Sequence, residues 1–232
     1  MTDLFVKRLE RLDTRLGRQI VHDPRSRSFP FGAAIDTTTW RSRTVRVYDP
    51  LPNPNQTIGN CTGCAKATQL NSVGNRVSGV VLKMSDADRI YSLATTLDPW
   101  AGSYPPDDTG SSGLAAAKAA QQLGLGGAYR WLFGGANEVV QAVMDGRTVN
   151  VGTMWYYSMF SPWRSGNDPI GIVAPAGQPA GGHEWTVRGY DVDRDLVLGR
   201  CWWGEFRDFW IMREHLDELL HDDGDAHVQD RA

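Results

Sequence analysis

The feature that most constrains this chain is a change of hydrophobic period near residue 147. Before it, apolar residues recur at helical spacing; after it, they alternate or run together as strands do. The helical side comprises a run from about residue 62 to 72, "SDADRIYSLATTL" with Ser85 and Asp88 at capping-box spacing, "LAAAKAAQQLG" ending at Gly124, and "ANEVVQAVMDG" ending at Gly146. The strand side comprises "TVNVGTMWYY", then "HEWTVRGYDVDRDLVLGRCWW" as two strands around an Asp-rich turn, then "DFWIM". A helix, "REHLDELL", follows. Helices gathered in one half and antiparallel strands in the other predict an α+β protein. The expected organisation is an N-terminal helical extension over residues 1–20, with Leu4, Leu9, Leu12 and Leu16 on one face. One domain then spans 21–221: a helical lobe at about 58–146, a β lobe at about 147–212 and a closing helix at 213–220. Residues 222–232, "DDGDAHVQDRA", are expected to be a solvated acidic tail.

Composition removes several function classes. A chain of 232 residues can bury a full core. A net charge of −3 argues against a nucleic-acid partner, and no apolar run could cross a bilayer, so no membrane partner is expected. The N-terminus lacks the apolar stretch of a signal peptide, which makes the cytoplasm the expected compartment. Three cysteines give no disulfide framework. Six of the nine tryptophans fall after residue 150, and large aromatics in that number predict packing.

Two cysteines stand in "NQTIGNCTGCAKA", where a turn runs into a helix. A thiol at a helix N-terminus faces free backbone N–H groups and the positive end of the dipole, both of which favour thiolate. That makes Cys61 the candidate nucleophile; Cys64, one turn on, is expected to pack in the core. A thiolate needs a base, and "GGHEW" supplies His183 at the start of a strand. His215, His221 and His227, late in the chain, are expected to face solvent, and "DVDRD" is expected to be a hairpin turn, not a calcium loop.

These segments, in this order, resemble the papain-like (C1-type) cysteine peptidases, and most closely their shorter bacterial and phage variants. "NQTIGNCTGCAKA" is similar to the nucleophile segment, "GGHEWTVRGYD" to the Gly-Gly-His strand, and "LVLGRCWWGEFRDFWIMREHLDELL" stands where the family has its Asn-Ser-Trp-Gly strand and closing helix. The resemblance covers about residues 20–220 and implies two lobes, one helical and one of antiparallel β-structure, with a cleft between them. It implies Cys61 as nucleophile, His183 as base and acid, and an amide at Asn55 or Gln56 to support the oxyanion. It implies Trp203 as a shield over the pair, a peptide or protein substrate, and no cofactor or metal. If the gene is phage-borne, association with the virion also follows. The family's His-orienting Asn falls at Cys201, and a thiol is a poor partner for an imidazole N–H. Two alternatives therefore stand beside an active peptidase: an inactive papain-like binding module, and a zinc site built from Cys61, Cys64, Cys201 and His183.

Overall fold

The computed structural model describes residues 3–48, 55–72, 80–203 and 207–232. In chain order the elements are β1 (Phe5–Lys7), β2 (Ile20–His22), β3 (Arg43–Thr44), α1 (Cys61–Leu70), α2 (Met84–Leu97), α3 (Gly113–Gln122) and β4 (Gly126–Trp131). They continue with α4 (Gly135–Met144), β5 (Val149–Tyr156), β6 (Ile172–Val173), β7 (Pro179–Asp191), β8 (Leu196–Arg200), β9 (Asp208–Met212), α5 (Arg213–His221) and β10 (Asp225–Arg231). The main sheet runs β4-β10-β5-β7-β8-β9-β6, with β3 against β7, and only β6–β9 pair in parallel. The protein is α+β, as the change of period predicts.

The helices start and stop where local chemistry requires. Ser112 caps α3 by accepting the Ala115 N–H, and Gly124 and Gly146 take the left-handed turns that end α3 and α4. Helix α2 begins earlier than expected: the Asp86 carboxylate, not Asp88, reaches back to the Lys83 N–H, and Ser85 lies inside the helix. Helices α1, α2 and α3 close one apolar cluster around Leu70, Ile90 and Ala116. A second, larger cluster lies between the sheet and helices α4 and α5, and holds Trp155, Trp185 and Trp203. Of the late tryptophans, Trp163 is exposed and the other five are buried.

The two chain ends differ from expectation. Among the described residues 3–20 there is no helix: Phe5–Lys7 pairs with Ile20–His22 as a small two-stranded sheet, and an irregular loop joins them. The leucine spacing misled because Leu9 and Leu16 are buried by the body of the protein while Leu4 and Leu12 are exposed, so no helical face exists. Nor is 222–232 a solvated tail: Asp225–Arg231 is β10, an inner strand between β4 and β5. Its charges mask the pattern, since Asp230 pairs with Arg130 and Arg147. Accordingly His227 is fully buried, whereas His221 is exposed as expected and His215 half-buried. The "DVDRD" turn joins β7 to β8, with Asp195 at positive φ. No helix among the described residues is long and apolar enough to cross a membrane.

Candidate active site

Helix α1 lies on β7, with Thr186 Oγ1 donating to the Ala65 carbonyl at 3.1 Å. That contact sets the N-terminus of α1 against the start of β7. Cys61 is the first residue of the helix, and its sulfur is faced by the backbone N–H of Glu184, the residue after His183. Asn60 precedes the helix without capping it; its side-chain amide donates instead to Asp88 at 2.6 Å. Cys64 packs in the helical core, as expected.

Strand alternation turns His183 and Glu184 to opposite faces of β7. His183 enters an aromatic wall, its ring centroid 4.5 Å from Trp203 and 5.0 Å from Trp155. Trp203 stacks on Phe160 and donates its indole N–H to Gln56 Oε1 at 3.0 Å. Trp203 thus lies against His183, where the resemblance implied a shield. Of the two oxyanion candidates Gln56 is buried and Asn55 exposed. The Gln56 Nε2 donates to the carbonyls of Arg15 at 2.7 Å and Ile58 at 2.8 Å.

No hydrogen-bond partner meets either ring nitrogen of His183. Cys201 is buried, with its backbone N–H on the Arg207 carbonyl, and its sulfur is close enough to Cys64 to oppose that thiol's ionisation. It does not supply the missing orienting bond. The zinc alternative does not form: among the described residues, the ligand atoms of Cys61, Cys64, Cys201 and His183 do not gather, and the one His/Cys/Asp/Glu set within 4.8 Å is Glu184, Asp225 and His227. That set already faces two cations, Lys66 Nζ at 2.8 Å from His227 Nε2 and Arg18 Nη2 at 2.6 Å from Asp225.

Sequence reading missed what covers the site. Residues 9–19 lie across it as a strap with a turn at Asp13–Leu16. The Leu12 N–H donates to the Ala180 carbonyl at 2.8 Å, the Arg18 N–H to Gly182 at 3.0 Å, and Gln19 and Gly17 bond the backbone of Ser111. Gly182 has no side chain because the Arg18 carbonyl occupies its space, and Gly17 lies directly against Gly59. The Gly17 N–H faces the Cys61 sulfur, Arg15 stacks its guanidinium 4.7 Å from the Trp203 ring centre, and Asp13 is the carboxylate acting on His183. Under the strap Cys61 is 0% exposed and His183 1%. Burial pushes the Cys61 thiol up to about 11, against the N–H groups that favour thiolate. Burial, with Arg15 nearby, brings the His183 imidazole down to about 3. The pair is held neutral, the reverse of what a helix N-terminus alone predicts. The short polar repeats of this stretch, read as amphipathic, conceal a segment with its backbone bonded to other parts of the chain.

The fold is that of the papain-like cysteine proteases. Xylellain, a cysteine protease from Xylella fastidiosa, superimposes with a TM-score of 0.66 at 15% identity, covering 96% of this chain and 98% of its own. The procathepsin B S9 of Trypanosoma congolense superimposes with a TM-score of 0.60 at 12% identity, covering 94% of this chain and 87% of its own. No protein-family model and no curated protein matches the chain.

Proposed function

We propose that the protein is a cysteine peptidase in a covered state, with Cys61 as nucleophile and His183 as its base. The observation that supports this is the placement of the Cys61 sulfur at the first turn of α1, facing the N–H of the residue next to His183. Once the strap moves, water reaches the pair and the burial that holds it neutral is relieved. His183 takes the thiol proton; the thiolate sulfur adds to a peptide carbonyl carbon, and the C–N bond breaks as the imidazolium protonates the leaving amine. Water, deprotonated by the same ring, then splits the thioester and regenerates the thiol. The Cys61 N–H and Gln56 Nε2 serve the oxyanion. In the covered state Gln56 Nε2 is satisfied by the strap's own Arg15 carbonyl, as it would be by substrate oxygen.

The test uses the full chain. Gly17→Val places side-chain atoms where the Gly59 backbone lies, which expels the strap. The expected outcome is hydrolysis of a denatured protein substrate, and labelling of Cys61 by a thiol-reactive peptide probe, both lost with Cys61→Ala. Hydrolysis that survives Cys61→Ala, or labelling of Cys64 or Cys201 in place of Cys61, overturns the reading.

A further inference from the structure

Of the strap's side chains, Arg18 is the one that enters the ionic face of β7. Arg18 is wholly buried, with Nη2 donating to Asp225 Oδ2 at 2.6 Å and to the Asp223 carbonyl at 2.8 Å. Its backbone lies beside the reacting pair, because its own N–H bonds the residue before His183 and the preceding N–H faces the Cys61 sulfur. The pocket it enters is walled by Glu184, Asp225 and His227, and two glycines make the room. A Cβ at Gly152 would meet the Arg18 Nε and would sit 2.7 Å from Glu184 Oε2; one at Gly113 would sit 2.8 Å from Glu184 Oε1. Neither glycine has positive φ, so the absence of a side chain here supplies space and not a turn.

Asp225 has an ion-pair partner only while Arg18 is present. Glu184 and Asp225 face one resident cation, Lys66, which is fixed by Gln69 and His227. Both oxygens of Glu184 and Oδ1 of Asp225 are buried without a hydrogen-bond partner, as are Nε and Nη1 of Arg18. The pocket thus holds more acceptor capacity than Arg18 uses. When the strap leaves, Asp225 loses its ion-pair partner, and a buried, uncompensated charge is strongly disfavoured.

We infer that this pocket is the specificity subsite of the same site, and that it takes an arginine or lysine side chain of the peptide substrate, for which Arg18 stands in when the strap is closed. The inference rests on the peptidase reading. A planar guanidinium can donate to Asp225 and to a backbone carbonyl together, as Arg18 does, so arginine is favoured over lysine.

The experiment uses the full chain carrying Arg18→Ala, and in parallel Arg18→Gln, which keeps the side-chain volume should the first not fold. Propylguanidinium at about tenfold over its half-saturating level should raise the melting temperature, while neutral butyramide should not. Adding Asp225→Asn should remove the response. In a randomised peptide library, the same variants should favour Arg or Lys at one position near the cut bond by tenfold or more. Equal responses to the cation and the amide, or cleavage with no basic preference, overturn the inference. A cation response without any cleavage supports the pocket and counts against the peptidase reading instead.

Discussion

His183 and Glu184 are adjacent in sequence and lie in opposite surroundings. The His183 face of β7 is aromatic, with Trp155 and Trp203 on the ring and no partner for either nitrogen. The Glu184 face is ionic, with Arg18, Lys66 and Asp225 within one buried pocket. Burial works on both faces but in opposite senses. It lowers the base His183, and it raises the carboxylic acid Glu184, with Asp225 adding to the rise. On the reading proposed above, β7 carries the chemistry on one side and recognition on the other, with a single residue step between them.

The sharpest way to break this division is to remove the chemical side alone. In a chain opened by Gly17→Val, His183→Ala should lower kcat by about 10³-fold or more, because nucleophile and base act as a unit. Glu184→Gln should act mainly through KM, and only for peptides with a basic residue. Steady-state kinetics on a basic and a neutral peptide separate the two; a matching loss from both variants on both peptides would erase the distinction.

Next in size is the aromatic wall. Trp203→Ala removes a fully buried ring from the larger core and should cost about 3–5 kcal/mol, read as a shift in denaturation midpoint. With the wall breached, the His183 imidazole should titrate closer to its ordinary value near 6.5, observable by NMR of the ring protons.

How much of this was legible in the sequence follows from where each signal lies. Cys61 sits at a helix start, as its local period indicates, whereas His183 is the fifth residue of β7, with Gly181 and Gly182 inside the strand and not before it. Gln56 against Asn55 could not be separated by spacing; burial separates them. The Glu184 pocket could not be read at all, because its members come from residues 18, 66, 184, 225 and 227, and no local pattern links them. The strap was hidden for the same reason: its bonds go to Ala180, Gly182 and Ser111, and an irregular segment held by distant backbone has no period of its own.

On the ionic face, Gly152→Ala should displace Arg18 from its pocket and speed alkylation of Cys61 by about tenfold, equivalent to about 1.4 kcal/mol, followed by mass spectrometry of the labelled peptide. An unchanged rate would mean that Arg18 does not hold the strap.

The smallest effect is one of pH. The His183 imidazole is at about 3 when covered and near 6.5 when unfolded, so between those values the unfolded chain binds the extra proton and stability falls as pH falls. Other buried groups, His227 and Glu184 among them, add their own slopes, so a difference measurement is needed. His183→Asn lacks this loss, and its melting temperature should gain on the parent by a few degrees between pH 6.5 and pH 4. A constant gap over that range would place His183 in water.

Strand β10 follows every other element in the chain, yet it is flanked in the sheet by β4 and β5. Its Asp225 receives Arg18 from 207 residues away. On a ribosome, β4 therefore waits without its partner while about a hundred residues are made, and such long-range pairing is slow. During that interval Arg18 has no Asp225 to bind, so the strap cannot be locked. The seal over Cys61 can be tied only after β10 has been made, later than every other part of the site described.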